Sequence, residues 1–230
     1  MSDQGRNALA AVSVMRALGN EIEELKSEIS SLLLDNIWPN GLEFSGDESE
    51  ADLDLFGESS SGWIIDGWHW TFPARRQAIH KRTKPKAAGE LALAVDLGHA
   101  GWIASDVGFP VLIVTWAPVG DSWGGHFGES EFLPFADETV CLADNKLLIW
   151  TGEEGLVSTE SLQEIAWMYA IPLFSVSDRR RISDFILTPF AKAMSKDWRK
   201  ALDEVPAIPF AANDTNRLAP TASPITHQPS

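Results

Sequence analysis

The chain reads as an α+β protein: a mostly antiparallel sheet of four to five strands with two C-terminal helices packed on it, preceded by an N-terminal heptad helix. Three observations predict this. Residues 8–32 repeat apolar side chains at helical heptad spacing, residues 63–150 hold short aromatic and branched runs broken by turn residues, and residues 161–204 return to helix-like spacing. At 230 residues the chain can bury one substantial core, so a single domain with appended segments is the expected parse.

The first element rests on Ala8, Ala11, Met15, Leu18, Ile22, Leu25, Ile29 and Leu32, which fall alternately three and four residues apart. That is the a/d pattern of a coiled coil, and 25 helical residues extend about 37 Å at about 1.5 Å per residue. Ile22 and Ile29 at a, with Leu18, Leu25 and Leu32 at d, favour two parallel strands, and Glu21 would meet Lys26 of a partner helix. The expected assembly is a homodimer through residues 8–32, with Met15, Leu18, Ile22, Leu25, Ile29 and Leu32 as its contact residues. The competing reading, in which the stripe packs on the chain's own domain, starts about level with it. Gly19 and the small Ala8 and Ala11 weaken the first half of a coiled coil. This helical segment, residues 1–36, should stop near Asn36, ahead of Trp38-Pro39-Asn40-Gly41.

Residues 45–62 are acidic and polar, too poor in apolar surface to offset the entropy of ordering, and are expected to form a flexible linker. The α+β domain follows over residues 63–204. Trp63–Phe72 suits a strand ended by Phe72-Pro73, and Leu91, Leu93, Val95 and Leu97 alternate as the bulky side of a second. Val111–Trp116 is apolar throughout, as in a strand covered on both faces. Thr139–Leu142 and Leu147–Trp150 form a hairpin around Asp144-Asn145. Ser161 and Glu164 have capping-box spacing for a short helix over 161–170, and Ile171–Val176 reads as a further strand. A longer helix is expected over 178–204, kinked where Pro189 removes the bond to the Phe185 carbonyl. Residues 205–230, rich in Pro, Ala, Ser and Thr, read as a disordered tail.

Charge narrows the function. The formal net charge is −15, which favours solubility and opposes unspecific binding to nucleic acid or anionic lipid. It is unevenly spread: residues 1–66 carry 3 basic and 14 acidic groups, whereas 67–100 carry 6 and 2. The local excess lies in Arg75, Arg76, Lys81, Arg82, Lys84 and Lys86, an exposed connection whose Arg75, Arg76, Lys81 and Arg82 could contact an anion. Nucleic-acid contact through Arg75–Lys86 is therefore one alternative function. Cys141 stands alone, excluding an intrachain disulfide and reading as a small apolar residue. The N-terminal residues lack a signal-peptide pattern and no apolar run approaches the roughly 20 residues of a membrane span, so a cytoplasmic protein is expected, with no membrane contact.

Two groupings could carry chemistry. Asp121, His126, Glu129 and Glu131, spaced by glycines, could bind a metal or move a proton, although recognised ligand spacing is missing. Asp144 and Lys146 have the spacing of a metal-dependent nuclease pair, but beside Asn145 they read more simply as turn residues. A metal-dependent hydrolase or nuclease near His126 or at Asp144 and Lys146 is the second alternative. Phosphate-binding loops and a Gly-x-Ser-x-Gly elbow are missing, and no cofactor and no catalytic residue is assigned. The 10 Trp against a single Tyr suit a sheet-to-helix core better than a stacking platform. The reading that emerges is a non-enzymatic cytoplasmic interaction protein that self-associates through its N-terminal helix and binds a protein partner.

Overall fold

In the computed structural model, residues 3–45, 49–50, 67–77, 84–98, 103–120, 140–151 and 160–221 are described. The chain divides into two compact units, Met1–Asn36 and Ile37–Ser230. The first is the helix α1, Asp3–Asp35, whose end is marked by Asn36 Nδ2 donating to the Leu32 carbonyl at 2.6 Å. That bond satisfies one of the four carbonyls a helix leaves open at its C-terminus.

The second unit is α+β with a large antiparallel sheet. Its strands are β1 (Leu42–Phe44), β2 (Ser49–Glu50), β3 (Gly67–Arg76), β4 (Lys86–Asp96), β5 (Val111–Pro118), β6 (Val140–Ala143), β7 (Leu147–Trp150) and β8 (Ala166–Pro172). Among the described residues they run in the order β1-β3-β4-β5-β8-β7-β6, with β2 also paired to β3. The sheet is thus larger than the four to five strands expected. β3 continues through Pro73, whose carbonyl accepts from Ser45 N at 3.1 Å. The missing proline N–H faces that same side, opposite Ser45, so this pair keeps one of the two ladder bonds it could exchange, at the end of β1 where the loss costs least.

β8 is the main departure from expectation. Residues 161–170 were expected to be helical because Leu162, Ile165, Ala166 and Tyr169 sit three and four apart, yet Ala166–Pro172 is a central strand between β5 and β7. Trp167, Tyr169 and Ile171 alternate with Ala166, Met168 and Ala170, so the same residues also satisfy a period of two, and both faces are buried. Ser161 and Glu164 precede the strand instead of capping a helix. Beyond Pro172 the chain makes a single 3-10 turn, Leu173–Ser175, where a strand was expected.

The expected 178–204 helix is shorter and interrupted. It begins at α3 (Arg179–Ile182), where the Asp178 carboxylate accepts from Arg181 N at 2.9 Å, widens into a π turn over Ser183–Leu187 and closes with α4 (Thr188–Ala193). Pro189 frees the Phe185 carbonyl as the sequence implies. The Tyr169 hydroxyl donates to that oxygen at 2.8 Å, so the strand repairs the bond the proline removes.

This helical run packs on one face of the sheet through Phe190. Its ring lies 5.6 Å from that of Trp116, 6.0 Å from Trp167, 5.2 Å from Trp38 and 5.6 Å from Phe44. The opposite face carries Ala92, Ala94, Ala117 and Ala170, packed with Ile113 and Met168 against α2 (Ile103–Val107) and against Ile208, Phe210 and Leu218. Phe210 and Leu218 belong to a small hairpin, β9 (Phe210–Ala212) with β10 (Leu218–Pro220). Residues 205–221 are therefore ordered, and the expected disordered tail does not include them. Two apolar anchors outweigh a composition that resembles a linker.

Gly89, on β4, adopts φ +147, and a Cβ there would lie 2.3 Å from the Ala117 carbonyl oxygen and 2.7 Å from the Trp116 ring. Only glycine fits, because the backbone of β5 and the Trp116 indole occupy the space a side chain needs.

Candidate functional site

Met15, Leu18, Ile22, Leu25, Ile29 and Leu32 all lie on α1, which runs without a break over the 33 residues Asp3–Asp35. On a straight helix their spacing keeps them on one side, drifting by roughly 20° per heptad, and the stripe from Met15 to Leu32 is about 25 Å long.

The basic stretch is not one exposed loop. Arg75 and Arg76 end β3 and Lys86 begins β4, drawn into the sheet by pairing between Arg75 and Ala87 and between Arg76 and Lys86. Arg75 stands opposite Glu43 in the β1–β3 ladder, and the Arg76 guanidinium forms an ion pair with the Glu164 carboxylate. Gln77 Nε2 also bonds to Glu43 Oε1. These acidic neighbours reduce the field the two arginines could offer an anion, while Lys81 and Arg82 lie outside the described residues.

Asp121, His126, Glu129 and Glu131 likewise lie outside the described residues. Asp144 and Asn145 form the tip of the β6–β7 hairpin, with φ of 50 and 56, and Lys146 N closes the turn on the Ala143 carbonyl at 3.0 Å. Both central residues occupy the left-handed region that Asp and Asn tolerate, as a primed hairpin turn requires. The turn also positions the neighbouring hairpin, since Phe210 N donates to the Asn145 carbonyl at 2.6 Å. Geometry thus accounts for Asp144 and Asn145 without chemistry. Among the described residues no group of three or more His, Cys, Asp or Glu side chains comes together. Cys141, on β6, is half-buried, and desolvation raises its pKa, which disfavours the reactive thiolate.

Sequence reasoning missed a buried polar set on the alanine-rich face. His69 is 2 % exposed, Thr71 5 % and Thr115 0 %. The register places Thr71 and Thr115 on either side of Ala92, and His69 beside Ala94. Burial lowers the His69 pKa to about 4, so the imidazole is neutral at pH 7. A neutral imidazole with two hydroxyls can donate and accept hydrogen bonds but offers no positive charge to a phosphate. Asp96, also buried, accepts from Gly98 N at 2.9 Å and from Ala104 N at 2.7 Å, which ties the end of β4 to the first turn of α2. Alternation along β3 carried the signal: His69 and Thr71 fall between Trp68, Trp70 and Phe72, so the strand has one polar and one aromatic side.

At one end of the sheet an apolar groove of about 270 Å³ is lined mainly by Val107, Phe109, Pro172, Phe174, Pro206 and Pro209. Phe174 is 59 % exposed and meets Phe109 edge-on at 5.9 Å between ring centroids. Comparison with protein-family models, curated proteins and solved structures finds no match for this chain. Among the described residues no helix is long and apolar enough to cross a membrane.

Proposed function

We propose that the chain is a non-enzymatic cytoplasmic interaction protein in which α1 joins two copies and the sheet unit holds a protein partner. The observation that supports this most directly is the heptad stripe carried on a single uninterrupted helix that forms a compact unit of its own. Ile at a and Leu at d specify a parallel pair, and Glu21 and Lys26 would contribute two symmetric ion pairs, each worth well under about 1 kcal/mol at the surface. Within the stripe Met15 is exposed and Leu18 half-buried, whereas Ile22, Leu25, Ile29 and Leu32 are already buried in the single chain, so the surface left for association lies at the Met15–Leu18 end. The nucleic-acid and hydrolase alternatives gain no comparable support, because Arg75 and Arg76 face carboxylates and Asp144 serves a turn.

Sedimentation equilibrium tests the dimer. The unaltered chain should show twice the chain mass, and Met15→Asp with Leu18→Asp, at the exposed end of the stripe, should halve it while the near-ultraviolet signal of the buried tryptophans stays unchanged. A single-chain mass for the unaltered protein, or a double variant that keeps the dimer, would reject self-association through α1.

A further inference from the structure

We propose that two copies pair antiparallel through the first half of α1, residues 8–18, about a two-fold axis at Ser13. This rests on the self-association proposed above and fixes its segment, register and direction.

Burial divides the helix. Ile22, Leu25, Ile29, Leu32 and Leu33 are buried in the single chain, whereas Val12 is 44 % exposed, Val14 65 % and Met15 37 %, and Leu18 is half-buried. Residue types alone favour a parallel pair, but that pair needs Ile22, Leu25, Ile29 and Leu32 on both helices, and their face is already covered. A second helix reaches the stripe only at its uncovered end. There the sequence is apolar beyond the a and d positions: from Ala8 to Leu18 only Ser13 and Arg16 are polar. A helix apolar on most sides belongs in contact with another surface.

The heptad positions say which surface. Reversing one helix exchanges the order of a and d along it, so each a residue faces a d residue of the other copy. With the axis at Ser13, Ala8 falls opposite Leu18 of the second copy and Ala11 opposite Met15, so every layer joins one small and one large side chain. A parallel pair of the same segment would set Ala on Ala and Leu on Leu, giving thin layers beside thick ones. The flanks agree with the antiparallel register. Val12 at e comes beside Val12 of the second copy, and Val14 at g beside Val14, on the two sides of the axis; a parallel pair would set Val12 against Asn7 instead. The next layer outward pairs Gln4 with Ile22, which is already buried, so the overlap ends there. Such an overlap extends about 15 Å at about 1.5 Å per residue. It belongs with the small interfaces, below roughly 1,200 Å², that form and separate reversibly.

Exchanging charge at the axis tests the direction. Val12→Lys and Val12→Glu chains, each alone, should associate at least about tenfold more weakly than the parent by sedimentation, because like charges meet, and an equimolar mixture should recover the dimer. Val12 is exposed, so both variants should keep the parent melting temperature. Pulsed electron resonance supplies the distance in a Cys141→Ser background with spin labels on Ser27→Cys, an exposed position. The labels should lie about 42 Å apart along the axis at about 1.5 Å per residue, against under about 25 Å, roughly two helix diameters, in a parallel pair. A parent dimer with the short distance, charged variants that dimerise as the parent does, or a mixture no stronger than its components would overturn the antiparallel contact while leaving self-association standing. A parent that sediments as a single chain would overturn both.

Discussion

One face of the sheet carries Trp70, Trp116, Trp167 and Tyr169, while the other, on the same strands and in the same register, carries Ala92, Ala94, Ala117 and Ala170 with Thr71 and Thr115. Both faces are covered, but by different means. Large rings fill the space beneath the run from α3 to α4, and Phe190 reaches down to meet them. Alanines leave little to fill, so α2 and the segment carrying Ile208, Phe210 and Leu218 lie directly on the strands. Side-chain volume on each face therefore decides how closely the second layer can approach the strands. The small face also tolerates polar atoms, because short side chains leave them room without opening a cavity.

The aromatic face should be the more sensitive to truncation. Phe190→Ala removes the ring shared by Trp38, Phe44, Trp116 and Trp167, and should destabilise the fold by about 3–5 kcal/mol in urea melts. A loss under about 1 kcal/mol would mean that the rings close over the gap and that the face is not organised around Phe190.

On the alanine face the largest effect should come from acid. The folded pKa of His69 is lowered from 6.5 to about 4, so the unfolded chain takes up a proton first as pH falls. The contribution of His69 is complete above about pH 6.5, declines below it and is exhausted below about pH 4, a total of about 3 kcal/mol. Many carboxylates titrate in the same range, so the measurement is a difference: between pH 7 and 4.5 the parent should lose about 2–3 kcal/mol more than His69→Gln. Parallel pH profiles would show that the imidazole is not held neutral by burial.

The smallest effect should be overpacking. Ala94→Leu forces three extra carbons between β4 and its cover and should cost about 1–3 kcal/mol, read as a lower urea midpoint at unchanged slope. An unchanged midpoint would mean that the cover lifts freely, removing the contrast between the faces.

Much of this sheet was legible in the sequence. β4, β5 and the β6–β7 hairpin follow from alternation, from an apolar run and from Asp144-Asn145, because these are local signals. β8 was not, since its residues satisfy helical and strand periods at once and only pairing with β5 decides between them. The β9–β10 hairpin was hidden by its composition: Phe210 and Leu218 are the apolar anchors in a stretch otherwise typical of a linker. The π turn before Pro189 depends on a hydroxyl 16 residues away, which no local window contains.

The candidate sites divide in the same way. The heptad residues and the turn at Asp144 are features of spacing and could be read directly. The polar set of His69, Thr71 and Thr115 comes into being only when three strands align. The groove at Phe174 joins residues more than one hundred positions apart, from Val107 to Thr221, and has no sequence signature at all.

The strand order carries a consequence for how the chain is made. β8 sits between β5 and β7, although both precede it in the chain, so one edge of β5 stays bare until residues 166–172 have been synthesised. The β6–β7 hairpin can close on itself before then, but it has nowhere to dock. A ribosome extending this protein therefore holds an apolar strand edge open across some fifty residues, or several seconds at about 5–20 residues per second, the interval in which a chaperone would be most useful.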